Sequence, residues 1–395
     1  MSGNSGEHEA PTRREYMKYG TAIVGGGLLA GCAGQSTTND ETEGGSYKVE
    51  MFPVGEVEFE EVPETWMAYY RDGWGDMAIA LGQAEGSRTA TLRRQEMFFN
   101  EVGIDLKTDW TEFWQDGPSK EALFELDCDV HLWDPIDLKQ RDGWGDTDIE
   151  EVETNIGPFF GCYNRRLNSK WQLEEGYPEK APTMLEAFEK LGEVFKQPER
   201  AEAFLDLHDE VQAEVESRLE GVEPVEIGLV NKASDPEKGE FYPLDPTKAG
   251  YEMKQYRDLN VANGFANIID DVYGGTIDYE GLLAADPDVI VLHWGIVNDT
   301  DKHRFDADLF QREFVEKMEN DEVGQDLTAV QKGNIYPGAW PEQGPITNLF
   351  NTELAGQILY PDQFGEFPFE QYPTIPEENQ LFDRQRVADI ISGDF

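Results

Sequence analysis

Basic residues are scarce in this chain of 395 residues. Its 32 Lys and Arg stand against 81 Asp and Glu, which gives a formal net charge of −49 at pH 7. Because contacts with phosphate groups need a basic surface, this excess of acid excludes nucleic acid as a partner. Self-repulsion of that size destabilises a compact state in dilute salt, whereas at molar salt the Debye length falls to about 3 Å. The composition therefore indicates a halophilic, archaeon-like host, and it is no evidence for a cation site.

Cysteine and histidine are also few, with three and five residues. No CxxC or HExxH spacing is present, so the sequence predicts neither a metal site nor a resident cofactor. Beyond Cys32, the pair Cys128 and Cys162 leaves two alternatives open, a disulfide or two buried free thiols. The GxSxG and P-loop motifs are missing as well, which favours a protein without catalytic residues over an enzyme.

The apolar segment near the N-terminus, from Thr21 to Ala30, is too short to span a membrane and has the length of a signal-peptide core. The stretch before it, Thr12–Lys18, contains Arg13 and Arg14 and resembles a twin-arginine export signal. Residues 29–31, Leu-Ala-Gly, directly precede Cys32 and resemble a lipobox, the site where a lipid is attached to the cysteine. A disordered tail with a chance pair of arginines is the alternative. The pattern predicts a protein exported in the folded state and held by lipidated Cys32 at the extracellular face of the cell membrane.

The remaining chain alternates strand and helix patterns, which predicts an α/β protein. The segment Asp129–Trp133 and the β-branched run in Pro287–Leu292 read as strands, and the latter is typical of a buried parallel strand. Residues Glu199–Leu219 carry an apolar stripe at helical spacing and predict a helix about 30 Å long. The predicted division is a signal at 1–31, a flexible linker at 32–50, an N-terminal lobe at 51–182, a bridging helical segment at 183–220 and a C-terminal lobe at 221–395.

Tryptophan recurs at two kinds of position. The string Arg-Asp-Gly-Trp-Gly-Asp occurs twice, at residues 71–76 and 141–146, and places Trp74 and Trp144 in glycine-rich loops suited to ligand contact. A shared turn in which Asp76 and Asp146 cap helices is the alternative. Trp133 and Trp294 each follow a predicted strand, and ligand crevices form at the carboxyl ends of parallel strands. Both could equally be core aromatics.

These segments resemble a known family in their order along the chain. The matching segments are Ala80–Gly82 with an acid six residues before the glycine, Ile149–Val152 with Gly157 and Pro158, Leu185–Leu219, Tyr279–Leu283 with Asp286–Ile290, and Ala329–Tyr336. The chain resembles the cell-surface substrate-binding proteins of ABC importers that carry ferric siderophores and cobalamin.

The resemblance implies two α/β lobes, each with a mainly parallel central sheet, bridged by one long helix and with the ligand cleft between them. It implies a monomer that delivers a ferric siderophore or related chelate to an ABC permease and its ATPase. One surface acid on each lobe is expected to dock onto the permease, and by position these are Asp76 and Glu280.

Ligand contact is expected from aromatic side chains and from arginines, which pair with carboxylate or hydroxamate oxygens in a bidentate manner. A cobalamin receptor, or a haem receptor using His293 as an axial ligand, remains an alternative. An acidic surface glycoside hydrolase with paired carboxylates is the alternative from another class. The candidates are Arg71, Trp74, Trp133, Arg141 and Trp144 in the N-terminal lobe, and Tyr256, Arg257, His293, Trp294 and Trp340 in the C-terminal lobe.

Overall fold

A computed structural model describes residues 45–69, 73–89, 95–106, 119–268, 275–296 and 304–395. The predicted signal, Cys32 and Arg71 lie outside these residues. Among the helices described, none combines the length and the apolar character needed to cross a membrane.

The N-terminal lobe is built around a small parallel sheet. Strands β3 (Trp66–Ala68) and β4 (Val130–Leu132) pair in parallel, and single-residue bridges add Ser87 beside β3 and Phe159 beside β4. The hairpin of β1 (Tyr47–Met51) and β2 (Gly55–Phe59) is antiparallel. The helices of this lobe are α1 (Trp74–Ala80), α2 (Glu96–Glu101), α3 (Lys120–Leu126), α4 (Pro135–Leu138), α5 (Asp146–Asn155), α6 (Lys170–Glu175) and α7 (Tyr177–Lys180), with a 3₁₀ turn at Ala84–Gly86.

The C-terminal lobe has the larger sheet. Strand β8 (Val289–His293) lies between β5 (Glu226–Asn231) and β9 (Ile335–Pro337), all parallel, and β5 also pairs with the short strands β6 (Pro243–Leu244) and β7 (Ala262–Asn263). All five residues of β8 are buried, as a β-branched strand covered on both faces requires. The helices are α10 (Lys254–Asp258), α11 (Tyr279–Ala285), α12 (Ala307–Phe310), α13 (Glu316–Glu319), α14 (Thr328–Lys332), α15 (Pro345–Leu359), α16 (Pro361–Phe364) and α17 (Arg384–Ser392), with a π-helical turn at Gln311–Val315 and 3₁₀ turns at Tyr251–Met253, Gly324–Asp326 and Glu377–Asn379.

The long helix predicted between the lobes is present. It follows α8 (Met184–Val194) and forms α9 (Pro198–Arg218), whose 21 residues begin with a proline, the residue best tolerated in a first turn. Phe204, Leu207, Val211 and Val215 are buried on one stripe, at the predicted spacing. The α/β class is therefore confirmed, while the exact domain boundaries stay a prediction.

A second helix, α15, also contacts both lobes. It packs on α1 of the N-terminal lobe, on α10 of the C-terminal lobe and on α9. All 15 of its residues are buried, so its polar side chains find partners inside the protein. For example, Asn351 donates to the carbonyl oxygen of Trp340 (2.9 Å) and accepts from the backbone N–H of Trp340 (3.1 Å). The two lobes are thus joined by α15 as well as by the one long helix that the resemblance implied.

Asp76 is the residue that fixes the start of α15. Its carboxylate accepts from the backbone N–H groups of Ile346 (2.9 Å) and Thr347 (2.8 Å), and its side chain is fully buried. Burial raises the pKa of this carboxyl group, and the hydrogen bonds from Thr347 and Ile346 partly oppose that shift. The expectation that Asp76 is a surface acid docking onto a permease is therefore wrong, because no part of it reaches the surface.

The two copies of the repeated string have different surroundings. Around the first copy, a Cβ atom on Gly73 would lie 2.1 Å from the carbonyl oxygen of Gln343, so only glycine fits there. In the second copy, the Asp146 side chain is 82% exposed and pairs with Lys139 at 2.8 Å. Neither Asp76 nor Asp146 caps its own helix through its side chain, so the shared-cap interpretation is wrong for both.

Cys128 and Cys162 are both buried, and each carries a thiol rather than a disulfide. Burial raises the pKa of the Cys128 thiol to about 12, which makes it unreactive at neutral pH. Of the two alternatives left by the sequence, the structure shows the pair of thiols and not the disulfide.

Candidate functional site

The carboxyl ends of the parallel strands in both lobes lead into one buried polar cluster. In the C-terminal lobe, β8 ends at His293 and is followed by Trp294, and the chain after β9 reaches Glu342. In the N-terminal lobe, the chain after Phe159 reaches Arg165 and Arg166. Since ligands of open α/β sheets bind outside the carboxyl ends of strands, this is where a site is expected.

Glu252 lies at the centre of this cluster. Its carboxylate is fully buried and accepts from Arg165 (Nε at 3.2 Å, Nη2 at 3.1 Å), from both Nε and Nη2 of Arg166, from His293 Nε2 (2.9 Å) and from Trp294 Nε1 (3.3 Å). A single carboxylate of the C-terminal lobe therefore holds two guanidinium groups of the N-terminal lobe. We call Arg165, Arg166, Glu252, His293, Trp294 and Glu342 the interlobe cluster.

Backbone hydrogen bonds also connect the two lobes at the interlobe cluster. The N–H of Tyr251 donates to the carbonyl oxygen of Asn164 (3.0 Å), and the N–H of Glu252 donates to that of Arg165 (3.3 Å). Gly250 adopts a φ of +105°, and a Cβ atom there would lie 2.3 Å from the carbonyl oxygen of Arg165. Glycine is thus required at this position for the two segments to approach.

The charges of the interlobe cluster balance. Arg165 also binds Glu342 (2.7 Å), so two arginines face two carboxylates. Burial alone would raise the pKa of Glu252, but Arg165, His293 and Arg166 outweigh it and hold this pKa well below its usual range. Burial lowers the pKa of His293, which is therefore neutral at pH 7 and donates from Nε2 to the ionised Glu252.

Trp294 has an unusual backbone. Its φ is +72°, in the left-handed region that bulky residues avoid, and such strain costs about 1–3 kcal/mol. The Arg165 guanidinium lies 5.1 Å above the indole ring, and Trp340 lies 6.4 Å away between ring centroids. Trp294 remains half-buried rather than enclosed. Backbone strain of this kind is concentrated at functional sites, which singles out Trp294 in the cluster.

A second cluster follows the strand ends of the N-terminal lobe. Trp133 stacks on Tyr69 with ring centroids 4.2 Å apart, and Arg141 lies over both rings, 4.5 Å from the Tyr69 centroid and 5.4 Å from that of Trp133. Asp137 accepts from Trp133 Nε1 (3.0 Å) and from Arg141 Nη2 (2.8 Å). Trp144 packs, half-buried, against the same apolar group. Arg141 thus pairs with the carboxylate of Asp137, close to it in the chain.

Four further predicted ligand residues, Trp74, Tyr256, Arg257 and Trp340, are members of neither cluster. Trp74 is buried in the core, edge-on to Phe160 at 6.4 Å, so the expectation that it faces a ligand from a loop is wrong. Tyr256 is buried in the C-terminal lobe, and Arg257 is exposed and donates to the carbonyl oxygens of Lys248 and Gly250. Trp340 is buried beside Trp294. Of the nine candidates that the structure describes, two belong to the interlobe cluster, His293 and Trp294.

Sequence reasoning missed four members of the interlobe cluster: Arg165, Arg166, Glu252 and Glu342. Two adjacent arginines in so acidic a chain were a usable signal for Arg165 and Arg166. Across the described residues, no group of three His, Cys, Asp or Glu side chains is arranged to hold a metal ion. His293, the candidate haem ligand, is fully buried with Nε2 bound to Glu252, which does not favour axial ligation.

Comparison with known proteins identifies the fold of this chain. Residues 173–339 match the family model described as periplasmic binding protein. The structure resembles a periplasmic binding protein of Veillonella parvula over 82% of this chain and 97% of the other, with a TM-score of 0.56 and 13% identity. This chain has the periplasmic-binding-protein fold. The two lobes and the cleft position between them, predicted from the sequence, agree with it.

Two further solved structures share the periplasmic-binding-protein fold. CeuE of Helicobacter pylori, in a complex with nickel and histidine, aligns with a TM-score of 0.53 and 10% identity, over 81% of this chain and 90% of the other. The iron uptake ABC transporter substrate-binding protein PiuA of Streptococcus pneumoniae aligns with a TM-score of 0.51 and 16% identity, over 79% of this chain and 98% of the other. No curated protein matches the chain in sequence.

Proposed function

We propose that this chain is the extracellular solute-binding component of an ABC importer, and that it captures a ferric siderophore or a related iron chelate between its lobes for delivery to a permease and its ATPase. The observation that carries the proposal is the interlobe cluster, in which arginines of one lobe meet a carboxylate and a tryptophan of the other at the strand ends of both sheets. The fold of this chain and the iron-uptake role of PiuA, which shares that fold, support it.

The chemistry of the cluster suits an oxygen-rich chelate. A guanidinium group presents two parallel N–H donors that match the oxygens of a carboxylate or hydroxamate. Trp294 offers a half-buried aromatic face for the organic shell of a ligand. The buried carboxylates of the cluster are paired with arginines rather than with a second carboxylate, which does not favour the glycoside hydrolase alternative.

A binding panel tests the function. We expect at least one ferric chelate among a hydroxamate, a catecholate and a citrate complex to quench the fluorescence of the nine tryptophans, and to do so at lower concentration than cobalamin or haem. Trp294→Phe is expected to remove more of this quenching than Trp144→Phe, because only Trp294 belongs to the interlobe cluster. Metal-free chelators serve as controls. Tight binding of cobalamin or haem alone would turn the proposal to the alternative ligand, and binding of none of these compounds would contradict it.

The proposed location depends on Cys32, and a single substitution tests it. In cells of a halophilic archaeal host, the wild-type protein is expected in the membrane fraction, whereas Cys32→Ala is expected in the medium or the soluble fraction, because one thiol carries the lipid. Cys128→Ala is the control, since this buried thiol has no part in anchoring. Membrane retention of Cys32→Ala would contradict a lipid anchor.

Glu280, exposed in the first turn of α11, stays the predicted contact for the permease.

A further inference from the structure

Asp134 connects the end of β4 to the segment that carries Arg165 and Arg166. It lies just beyond the carboxyl end of that strand, and its side chain is fully buried. Its Oδ2 atom accepts from the backbone N–H of Tyr163 (2.8 Å) and from the hydroxyl group of Tyr177 (2.6 Å). One buried carboxylate thus fixes the backbone two residues before the first arginine of the interlobe cluster.

The other oxygen of Asp134 caps α4. Its Oδ1 atom accepts from the N–H groups of Ile136 (2.8 Å) and Asp137 (3.3 Å). Asp137 in turn accepts from Trp133 and Arg141 in the second cluster. The two oxygens of Asp134 therefore hold the elements that lead to both clusters.

The carboxylate of Asp134 is mostly ionised at pH 7. Burial raises its pKa to about 6, while the hydrogen bonds from Tyr177, Tyr163 and Ile136 oppose that shift. Hydrogen bonds to an ionised acceptor are about twice as strong as those between neutral groups. Because a buried donor that loses its acceptor is costly, the contact with Tyr163 holds its segment firmly in place.

The segment held by Asp134 also makes the backbone hydrogen bonds between the lobes. The carbonyl oxygen of Asn164 accepts from the N–H of Tyr251 (3.0 Å), and that of Arg165 accepts from the N–H of Glu252 (3.3 Å). Both donors belong to the C-terminal lobe. A displacement of this segment from Asp134 would therefore weaken hydrogen bonds of the opposite lobe.

We propose that Asp134 is a positioning residue, which sets where Arg165 and Arg166 meet the carboxylate of Glu252 and so fixes the geometry of the interlobe cluster. It acts through the backbone of residues 163–166. A binding site tolerates a misplacement of only about 0.5–1 Å in the groups that hold a ligand, so this position matters for affinity. The effect on affinity rests on the proposed function, whereas the effect on the contacts between the lobes does not.

Asp134→Asn is designed to release Tyr163 and to keep the cap. Asparagine caps helices about as well as aspartate does, so its oxygen is expected to stay on Ile136 and Asp137. Its amide group then faces the N–H of Tyr163, a donor against a donor. Asp383→Asn is the matched control, because Asp383 caps α17 at the same two distances, 2.8 and 3.3 Å.

Amide hydrogen exchange at constant molar salt tests the inference without a ligand. In Asp134→Asn, the amides of Tyr251 and Glu252 are expected to exchange at least about tenfold faster than in the wild-type protein, because their acceptors lie on the released segment. The amides of β8, in the same lobe, are expected to keep the wild-type rate. A residue that only stabilises the N-terminal lobe would not change a signal from the other lobe. Asp383→Asn is expected to change neither signal.

Titration with the ferric citrate, hydroxamate and catecholate complexes, followed by tryptophan fluorescence, tests the consequence for binding. For each complex that binds the wild-type protein, Asp134→Asn is expected to weaken binding by about tenfold, and Asp383→Asn to stay within about twofold. Combined with Arg166→Gln, Asp134→Asn is expected to cost clearly less than it does alone, because it acts through the segment that carries this arginine.

Three results would overturn the inference. One is a folded Asp134→Asn in which the amides of Tyr251 and Glu252 exchange at the wild-type rate, and another is exchange that rises equally at these amides and in β8. The third is a loss of affinity that adds fully to that of Arg166→Gln. If Asp134→Asn does not fold, Asp134→Ser, which keeps a cap oxygen and removes Oδ2, decides the question by the same exchange measurement. If no ferric complex binds the wild-type protein, the proposed function fails and hydrogen exchange still decides this inference.

Discussion

Removing salt is expected to unfold this protein. Its formal net charge is −49, and surface charge pairs such as Lys48 with Glu56 are exposed to solvent. Exposed pairs of this kind contribute at most about 1 kcal/mol each. Lowering the salt from about 1 M to about 0.01 M lengthens the Debye screening distance from about 3 Å to about 30 Å, so repulsion then acts across the whole molecule. We expect a loss of about 5 kcal/mol or more in the free energy of unfolding, comparable with the net stability of an ordinary domain.

Thermal melts across a series of NaCl concentrations measure this effect. If screening is the cause, most of the stabilisation appears below about 1 M NaCl, and sucrose, which acts by exclusion from the surface, does not reproduce it. The double variant Glu60→Lys with Glu61→Lys changes two exposed acids and is expected to gain stability in low salt but not in high salt. A melting temperature that does not change with NaCl would contradict the halophilic interpretation.

Local patterns were enough to predict the main elements of the fold. The β-branched run at 287–292 became β8, and the apolar stripe between Glu199 and Leu219 became α9. Both follow from backbone sterics and from side-chain periodicity, which are properties of adjacent residues. The resemblance to substrate-binding proteins then supplied the two-lobed arrangement, which no single segment specifies.

The repeated hexapeptide shows a limit of structure prediction from local sequence. Although the six residues are identical, Trp74 lies in the core and Trp144 is half-buried. Likewise, Asp76 is buried and binds the start of α15, whereas Asp146 is exposed and pairs with Lys139. The difference comes from α15, which lies about 270 residues after the first copy. A string of residues cannot specify which distant helix will pack on it.

Part of the candidate site could be predicted from local sequence, and part of it could not. His293 and Trp294 were found because they follow a predicted strand, and the carboxyl end of a strand is a position that the sequence reveals. Glu252 had no such signal, being one of 81 acids, and its role depends on arginines 86 and 87 positions away in the sequence. Charge pairs between lobes form only in the folded protein. The composition therefore shows that charged residues are present, but not which of them pair.

Asp76→Ala is expected to be among the most destabilising single changes in this chain. The substitution leaves the N–H groups of Ile346 and Thr347 buried without an acceptor at the start of a helix that is itself entirely buried. Each unsatisfied donor costs about 1–3 kcal/mol, so we expect a loss of about 3–5 kcal/mol in the free energy of unfolding. Urea unfolding at constant molar salt measures it. Asp76→Asn is expected to cost less than alanine, because its amide oxygen can still accept one of the two hydrogen bonds.

Asp383→Ala is the matched control for this prediction. Asp383 caps α17 in the same way, accepting from the N–H groups of Gln385 (2.8 Å) and Arg386 (3.3 Å), but it is exposed. Water can replace the lost acceptor there, so the expected cost is about 1 kcal/mol. Because both aspartates accept from the second and third N–H groups of a helix, the difference between the variants reflects mainly the burial of Asp76. Equal losses for the two variants would mean that water reaches the start of α15, and that Asp76 is not sealed between the lobes.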